Sequence, residues 1–203
     1  TGDGLDEVFA LVGKGQGGSY WQLLAVSREG KPLAGYPRPW TVPGKAHGGF
    51  GRNLVRGLKM SFGDVDGDGR NEAVWTDLSA YLHAARADGT ELEGFPKPMR
   101  HGNKQVPITK PIVWDCDGDR KAEIFYLTYG AEGEGYTLQV LGPDGEDRAK
   151  DLGYDLTISG YTVEWIRAEH LKKGNGPSLV MWARPVTKGR DLQKWHTRQV
   201  MGF

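Results

Sequence analysis

Short apolar runs recur along the chain, and polar turn residues separate them. Three of these runs lead into a turn in which an acid is followed by glycine: Leu23–Val26 before Glu29-Gly30, Tyr81–Ala84 before Asp88-Gly89, and Leu138–Leu141 before Asp144-Gly145. Runs of this length between Gly, Asp and Pro are typical of β-strands joined by hairpins. The pattern therefore predicts an all-β chain.

A longer phrase follows the first two turns. It reads Leu-Ala-Gly-Tyr-Pro-Arg-Pro over 33–39 and Leu-Glu-Gly-Phe-Pro-Lys-Pro over 92–98, and its prolines favour an exposed outer strand. After the third turn the chain has Asp151–Tyr154 instead. The strands repeat at a spacing of about 50 to 65 residues, which is typical of propeller blades or a similar array.

This repeat predicts one domain over residues 1–203, divided into four units over 1–53, 54–107, 108–160 and 161–203. An inner strand opens each of the last three units, over 54–62, 108–114 and 161–166, so the expected strand count is three, four, four and three. A closed propeller has about four or more complete blades. The chain is therefore expected to be a segment of a larger propeller, or else to join two partial blades in an unusual way.

An acidic loop lies between two of the predicted strands, at 64–72. Acids occupy its positions 1, 3, 5 and 9 and glycine its position 6, as Asp64, Asp66, Asp68, Glu72 and Gly69. Carboxylates that alternate on a tight loop direct their oxygens to one centre, which suits a hard cation such as Ca²⁺. The main-chain carbonyl of Arg70 is expected to add a ligand. An EF-hand is excluded, because that loop has its bidentate Glu at position 12, where this chain has Trp75.

The motif occurs again in the next unit, as Asp115, Asp117, Asp119 and Glu123, with Lys121 in place of Arg70 as the main-chain ligand. Its position 6 is Arg120 rather than glycine, and a non-Gly residue at positive φ carries strain, so this site is expected to be weaker. Asp3 and Glu7 fit a partial copy of the motif, whereas the fourth loop, 170–178, lacks the acids and predicts no metal. The alternative for both complete loops is an acidic surface turn without metal.

These loops and the strands after them resemble the FG-GAP (VCBS-type) repeats of calcium-binding β-propellers, the family that includes the integrin α-chain head. The resemblance extends over nearly the whole chain; it is specific in the two complete loops, partial in the first unit and eroded in the fourth. It implies a β-propeller, or a segment of one, with about four blades of four-stranded antiparallel sheets. In that family the calcium loop joins the first, innermost strand of a blade to the second. The implied ligands are Asp64, Asp66, Asp68, Glu72, Asp115, Asp117, Asp119 and Glu123.

Composition narrows the class of protein. Lys and Arg balance Asp and Glu at 26 each in 203 residues, so nothing indicates binding to nucleic acid or to anionic membranes. No apolar run is long enough to cross a bilayer, so membrane insertion is not expected. The one cysteine, Cys116, excludes an internal disulfide framework and is expected to be a packed thiol. Trp75, Trp114, Trp165 and Trp182 are expected in the core between the units.

Two other features bear on ligand binding. The letters Gly13-x-Gly15-x-x-Gly18 match a dinucleotide fingerprint, but no helix is expected after them, so we interpret them as a hairpin loop. The long loops 47–52 and 100–104 follow matched outer strands, and the resemblance implies that they lie on the face away from the calcium loops. The candidate ligand-binding residues there are Trp40, His47, Arg52, Arg100 and His101, with ordinary loop residues as the alternative. No catalytic residues are indicated.

The sequence therefore predicts a calcium-stabilised module, extracellular, periplasmic or at the cell surface, that recognises a protein or a glycan. Further blades of a parent chain are expected partners. Calcium near millimolar outside cells fills sites of modest affinity. The alternative function is enzymatic, because some secreted polysaccharide lyases use a calcium propeller of similar repeats as their catalytic platform, and fold alone does not decide between the two. A stalk without any ligand is a third interpretation.

Overall fold

The computed structural model describes residues 7–14, 20–39, 60–77, 81–99, 110–129, 135–169, 178–185 and 196–200. These residues form β-strands and turns and contain no helix, which confirms the prediction of an all-β fold for this part of the chain. The strands in chain order are β1 (Val8–Lys14), β2 (Tyr20–Val26), β3 (Arg38–Pro39), β4 (Met60–Gly63), β5 (Glu72–Thr76), β6 (Tyr81–Ala85), β7 (Lys97–Pro98), β8 (Ile112–Trp114), β9 (Glu123–Tyr129), β10 (Tyr136–Leu141), β11 (Thr157–Ile158), β12 (Tyr161–Glu169), β13 (Ser178–Pro185) and β14 (His196–Val200).

The strands form four antiparallel sheets in which spatial order follows chain order: sheet 1 (β1–β3), sheet 2 (β4–β7), sheet 3 (β8–β11) and sheet 4 (β12–β14). The predicted count of three, four, four and three strands is confirmed for the described residues. A β-bulge between Val163 and Trp165 interrupts the pairing of β12 with β13. The described part of the chain has no helix long and apolar enough for a membrane crossing.

The three acid-glycine turns have one geometry. Gly30, Gly89 and Gly145 have φ angles of 77°, 82° and 74°, which glycine adopts without steric cost. Their amides donate to the carbonyl oxygens three residues earlier at 2.8, 2.8 and 2.9 Å. The predicted hairpin turns are thus confirmed. β1 pairs antiparallel with β2 from Val8↔Val26 to Lys14↔Tyr20, as the predicted hairpin over 13–18 requires, and residues 15–19 themselves lie outside the described residues.

Buried apolar side chains fill the space between successive sheets. Sheets 1 and 2 share a cluster that includes Leu23, Ala25 and Trp75, sheets 2 and 3 share another that includes Val74 and Ile124, and a third cluster lies between sheets 3 and 4. All five residues of β5 are buried, because successive side chains of a strand point to opposite faces and sheet 2 is covered on both. Trp75 is 1 % exposed, as predicted, whereas Trp114 and Trp182 are only partly buried.

A polar network lies beside Trp75 at the contact between sheets 1 and 2. The His83 ring stacks on the Trp75 ring with centroids 4.8 Å apart and an interplanar angle of 1°. His83 Nδ1 lies 2.9 Å from Glu91 Oε1, and its Nε2 lies 3.5 Å from Asp77 Oδ2. Arg38 Nη2 donates to the same Glu91 oxygen at 2.9 Å. Burial lowers the pKa of His83, but the two carboxylates outweigh burial and raise the pKa above its ordinary value.

The stability of the chain is therefore expected to depend on the protonation of His83. Folding raises the pKa of the imidazole, so its contribution is complete below the ordinary His pKa and is lost as pH rises through the raised value. The difference in free energy of unfolding between wild type and His83→Gln should accordingly be larger at pH 5.5 than at pH 8.5. Urea unfolding at both pH values measures it, and a difference that stays constant or grows with pH would contradict the assignment.

Candidate metal centres

The two acidic loops occupy the same place in sheets 2 and 3. Asp64 directly follows β4, and Glu72 is the first residue of β5. Asp115 directly follows β8, and Glu123 is the first residue of β9. Each loop therefore joins the first strand of its sheet to the second, as predicted.

Three acids of each loop converge. One carboxylate oxygen from each of Asp64, Asp66 and Glu72 lies within 4.8 Å of the other two, and the same holds for Asp115, Asp117 and Glu123. This separation suits oxygen ligands that surround one cation. The structure thus contains two clusters that can hold a metal ion.

The predicted ligands at loop position 5 lie outside these two clusters. Asp68 and Asp119 are exposed, and each accepts a hydrogen bond at its Oδ1 from a backbone N–H two residues later, at 2.8 Å. The donors are Arg70 and Lys121, the residues expected to offer main-chain carbonyls. In this structure Asp68 and Asp119 stabilise the second half of the loop.

The first acid of each loop holds the loop in shape. Asp64 accepts the backbone N–H of Gly67 at 2.8 Å and that of Gly69 at 2.9 Å, one at each carboxylate oxygen. Asp115 accepts the N–H of Gly118 at 2.7 Å and that of Arg120 at 3.0 Å in the same arrangement. The two loops therefore share one backbone conformation, and in each loop its own first acid stabilises that conformation.

The closing glutamates are buried charges. Glu72 is 1 % exposed and Glu123 is 0 % exposed. Glu72 Oε2 accepts the N–H of Val65 at 2.8 Å, and Glu123 Oε2 accepts that of Cys116 at 3.1 Å. Burial raises the pKa of Glu72 to about 7. Because a buried carboxylate is costly unless it is paired, a cation beside each glutamate would be strongly stabilising.

One oxygen at the second centre lacks a partner. Glu123 Oε1 is buried and has no hydrogen-bond partner among the described residues. A buried acceptor of this kind normally has a partner, either in the protein or in a bound species. It belongs to the carboxylate that closes the Asp115 loop, where a cation could supply the partner.

Positive φ angles distinguish the two loops. Gly67 and Gly118 at position 4 have φ angles of 80° and 81°, and position 6 has 83° at Gly69. Arg120 holds position 6 of the second loop at a φ of 74° and is the one non-Gly residue with positive φ in the described part of the chain. Position 6 thus has positive φ in both loops, and strain stays the expectation at Arg120 because a Cβ disfavours this conformation.

Sequence reasoning missed two arginines, each of which contacts the acid at position 3 of a loop. Arg86 Nη2 lies 2.5 Å from Asp66 Oδ2, and Arg148 Nη2 lies 3.5 Å from Asp117 Oδ2. Arg86 precedes the acid-glycine turn of its sheet and Arg148 follows the turn of the next, so they do not occupy matched repeat positions. No spacing in the sequence relates them to the loops.

The two centres are linked through the backbone. The Ala122 N–H in the second loop donates to the Asp64 carbonyl in the first at 2.7 Å. Ser61 in β4 donates through its Oγ to the Pro111 carbonyl just before β8, at 2.5 Å. The first strands of sheets 2 and 3 thus lie side by side, with both acidic loops at the same end.

The remaining predicted site residues are mostly outside the described residues. Glu7, at the start of β1, is partly exposed. Cys116 is partly buried, and burial together with the adjacent Glu123 carboxylate raises the pKa of its thiol, which agrees with a packed, unreactive cysteine. The predicted residues outside the described part are Asp3, Trp40, His47, Arg52, Arg100 and His101, together with the loop 170–177.

Comparison of the chain with protein-family models, with curated proteins and with solved structures finds no match.

Proposed function

We propose that the chain is a calcium-stabilised recognition module built from FG-GAP (VCBS-type) repeats. The observation that carries this proposal is the pair of loops in which the same backbone hydrogen bonds bring three carboxylates within 4.8 Å of one another. Two copies with one geometry are characteristic of a repeated metal-binding unit. An acidic surface turn without metal would not need a buried glutamate at its last position.

The donor set favours calcium over other metals. All side-chain donors in the two clusters are carboxylate oxygens, which suit hard cations, whereas zinc and copper sites generally include nitrogen or sulfur donors. The Cys116 thiol belongs to neither cluster. Magnesium requires near-ideal octahedral geometry and keeps several waters, which fits a loop of converging carboxylates less well.

The arrangement of the sheets supports a propeller segment. The sheets pack face to face in chain order, with apolar clusters between sheets 1 and 2, 2 and 3, and 3 and 4. The first strands β4, β8 and β12 are neighbours in that order. In a propeller the first strands of the blades surround the central channel, and the sheets radiate from it. The chain would then present its long loops on the face opposite the calcium sites.

Recognition of a protein or a glycan outside the cell fits this proposal. Extracellular calcium near millimolar would keep sites of modest affinity filled. Rigid sheets that hold variable loops are a common platform for binding. Trp40, His47, Arg52, Arg100 and His101 are the proposed contact residues, because aromatic faces suit sugar rings and basic groups suit acidic sugars or carboxylates.

Calorimetric titration tests the metal part of the proposal. The chain, freed of metal with a chelator, is expected to bind two calcium ions, one in each acidic loop. Magnesium at the same concentration should give a much smaller heat and should not prevent calcium from binding. A chain that binds no calcium, or that prefers magnesium or zinc, would contradict the proposal.

A binding screen tests the recognition part. The wild-type chain, in calcium, should bind at least one member of an array of acidic glycans and secreted proteins. Replacing both Trp40 and His101 with alanine should abolish that binding while the calcium-dependent melting transition stays unchanged. Equal binding by the double variant would exclude this surface, and absence of any ligand for the wild type would favour the purely structural role.

A further inference from the structure

Sheets 1, 2 and 3 are joined by one recurring backbone contact, the glycine joint. The glycine of the phrase that leads to the outer strand packs on the acid-glycine turn of the following sheet. A β-carbon added at Gly35 would overlap the carbonyl oxygen of Asp88, and one added at Gly94 would overlap that of Asp144. The same contact thus joins sheet 1 to sheet 2 and sheet 2 to sheet 3, and only glycine permits it.

A basic side chain accompanies each joint. Arg38, three residues after Gly35, donates to Glu91 Oε1 of sheet 2 at 2.9 Å. Lys97, three residues after Gly94, donates to the Gly145 carbonyl and lies 3.4 Å from Glu146 Oε1 in sheet 3. All three partners of these cations lie in the receiving turn or within two residues after it. The phrase glycine-aromatic-proline-basic-proline is therefore the part of one sheet that recognises the next.

The receiving face of each joined sheet is buried and apolar. In sheet 2 the face toward sheet 1 includes Ala73 and Trp75, which are 2 % and 1 % exposed. In sheet 3 the matching residues, Ile124 and Tyr126, are 0 % and 5 % exposed. In both sheets the first of these residues directly follows the glutamate that closes the acidic loop.

Sheet 1 has the same receiving face, and it is open. Val8, which directly follows Glu7 and so matches Ala73, is 57 % exposed, and Val12 on the same face is 44 % exposed. Among the described residues, no atom lies within 4 Å of the position that a β-carbon would occupy at Gly30, the turn glycine that matches Gly89. Gly89, in contrast, has Gly35 atoms 3.3 Å from the corresponding position.

We propose that this open face of sheet 1 docks a further β-sheet whose outer strand carries a glycine-aromatic-proline-basic segment. The glycine would pack on the carbonyl of Glu29, and the basic side chain would donate to the carbonyl of Gly30 as Lys97 does to Gly145. A second copy of the chain does not fit this role, because both of its segments are already packed in its own joints. The inference rests on the repeat array of the proposed function and does not depend on the metal.

A lengthened chain tests the docking directly. In this variant, residues 1–3 are replaced by a second copy of residues 60–119, so that the copied Asp119 is followed by Gly4. The junction is placed there because Asp119 and Asp3 hold the same position in their loops. The copied β8 then supplies the first strand of sheet 1, and the copied Gly94 reaches the Glu29-Gly30 turn. With Val8→Cys as a probe, thiol labelling followed by peptide mass spectrometry should be at least about tenfold slower than in the original chain, because only local opening would expose the residue.

The matched control is the same lengthened chain with Gly94→Val in the added copy alone. The valine side chain would overlap the turn carbonyl, so Val8→Cys should label as fast as in the original chain. If the lengthened chain without the valine also labels at the original rate, the proposal is overturned.

A second measurement needs no added sheet. In the original chain, Val8→Lys should change the melting temperature by less than about 2 °C, as at an exposed site, whereas Val74→Lys in the covered core should prevent folding. If Val8→Lys is as damaging as Val74→Lys, the chain itself covers the face and the proposal fails. If calcium stabilises the chain but the added sheet does not slow labelling at position 8, only the docking inference fails. If the added sheet slows labelling at position 8 but the chain binds no calcium, only the metal proposal fails.

Discussion

Removing calcium is expected to lower the melting temperature of the chain by about 10 to 20 °C. A ligand at one hundred times its dissociation constant adds about 2.7 kcal/mol to stability, so two sites add about 5 kcal/mol, and each kcal/mol shifts the melting temperature by about 2 to 4 °C at this chain length. The physical reason is the pair of buried carboxylates, Glu72 and Glu123, which are 1 % and 0 % exposed. Without a cation, burial of these groups opposes folding.

Scanning calorimetry measures this effect. Metal-free protein in excess chelator is compared with the same protein in millimolar calcium, with magnesium at equal concentration as the control for ionic strength. Restoring calcium should restore the higher transition. Identical transitions with and without chelator, in protein shown by elemental analysis to be metal-free, would contradict the proposed sites.

The positions of the acidic loops could be predicted because the determinants are local. The alternation of acids and the glycines at 67 and 118 fix a tight loop whose own backbone supplies most of the hydrogen bonds, so a short stretch of sequence contains the whole motif. The strand count could be predicted for the same reason, since acid-glycine turns such as Asp88-Gly89 encode their hairpins locally.

Contacts between sheets could not be predicted in this way. The ion pair of Arg86 with Asp66 and the hydrogen bond from Ala122 to the Asp64 carbonyl depend on how separate strands and sheets come together. The contacts of His83 with Asp77 and Glu91 likewise depend on the packed structure. The alternation of side chains along β6 predicts that His83 is buried, but it does not predict which residues it contacts. Asp68 matches the motif in sequence, but its carboxylate is not among the three that converge in the first loop.

The two sites are expected to differ in how much stability they contribute. Asp66→Ala and Asp117→Ala should each reduce the calcium stoichiometry from two to one, because each removes one of three converging carboxylates. Asp66→Ala should lower the free energy of unfolding more than Asp117→Ala does, by about 3 kcal/mol when the calcium concentration is one hundred times the dissociation constant of the first site. Arg86→Ala is the control for the ion pair lost with Asp66, and it should retain both calcium ions and cost less than about 1 kcal/mol, since Arg86 is partly exposed.

The cause of this difference is position 6 of the loop, where Gly69 stands in the first site and Arg120 in the second. Arg120 has a φ of 74° in the loop conformation that brings the acids together, so the second site carries a backbone strain that Gly69 avoids in the first. A strain of roughly 1 kcal/mol would weaken the second site by about fivefold. Arg120→Gly should therefore tighten the second site by that factor, and Gly69→Arg should weaken the first by a similar one, as measured by calcium titration. Equal affinities in the wild type, or a tighter second site, would exclude backbone strain at Arg120 as the source of the difference.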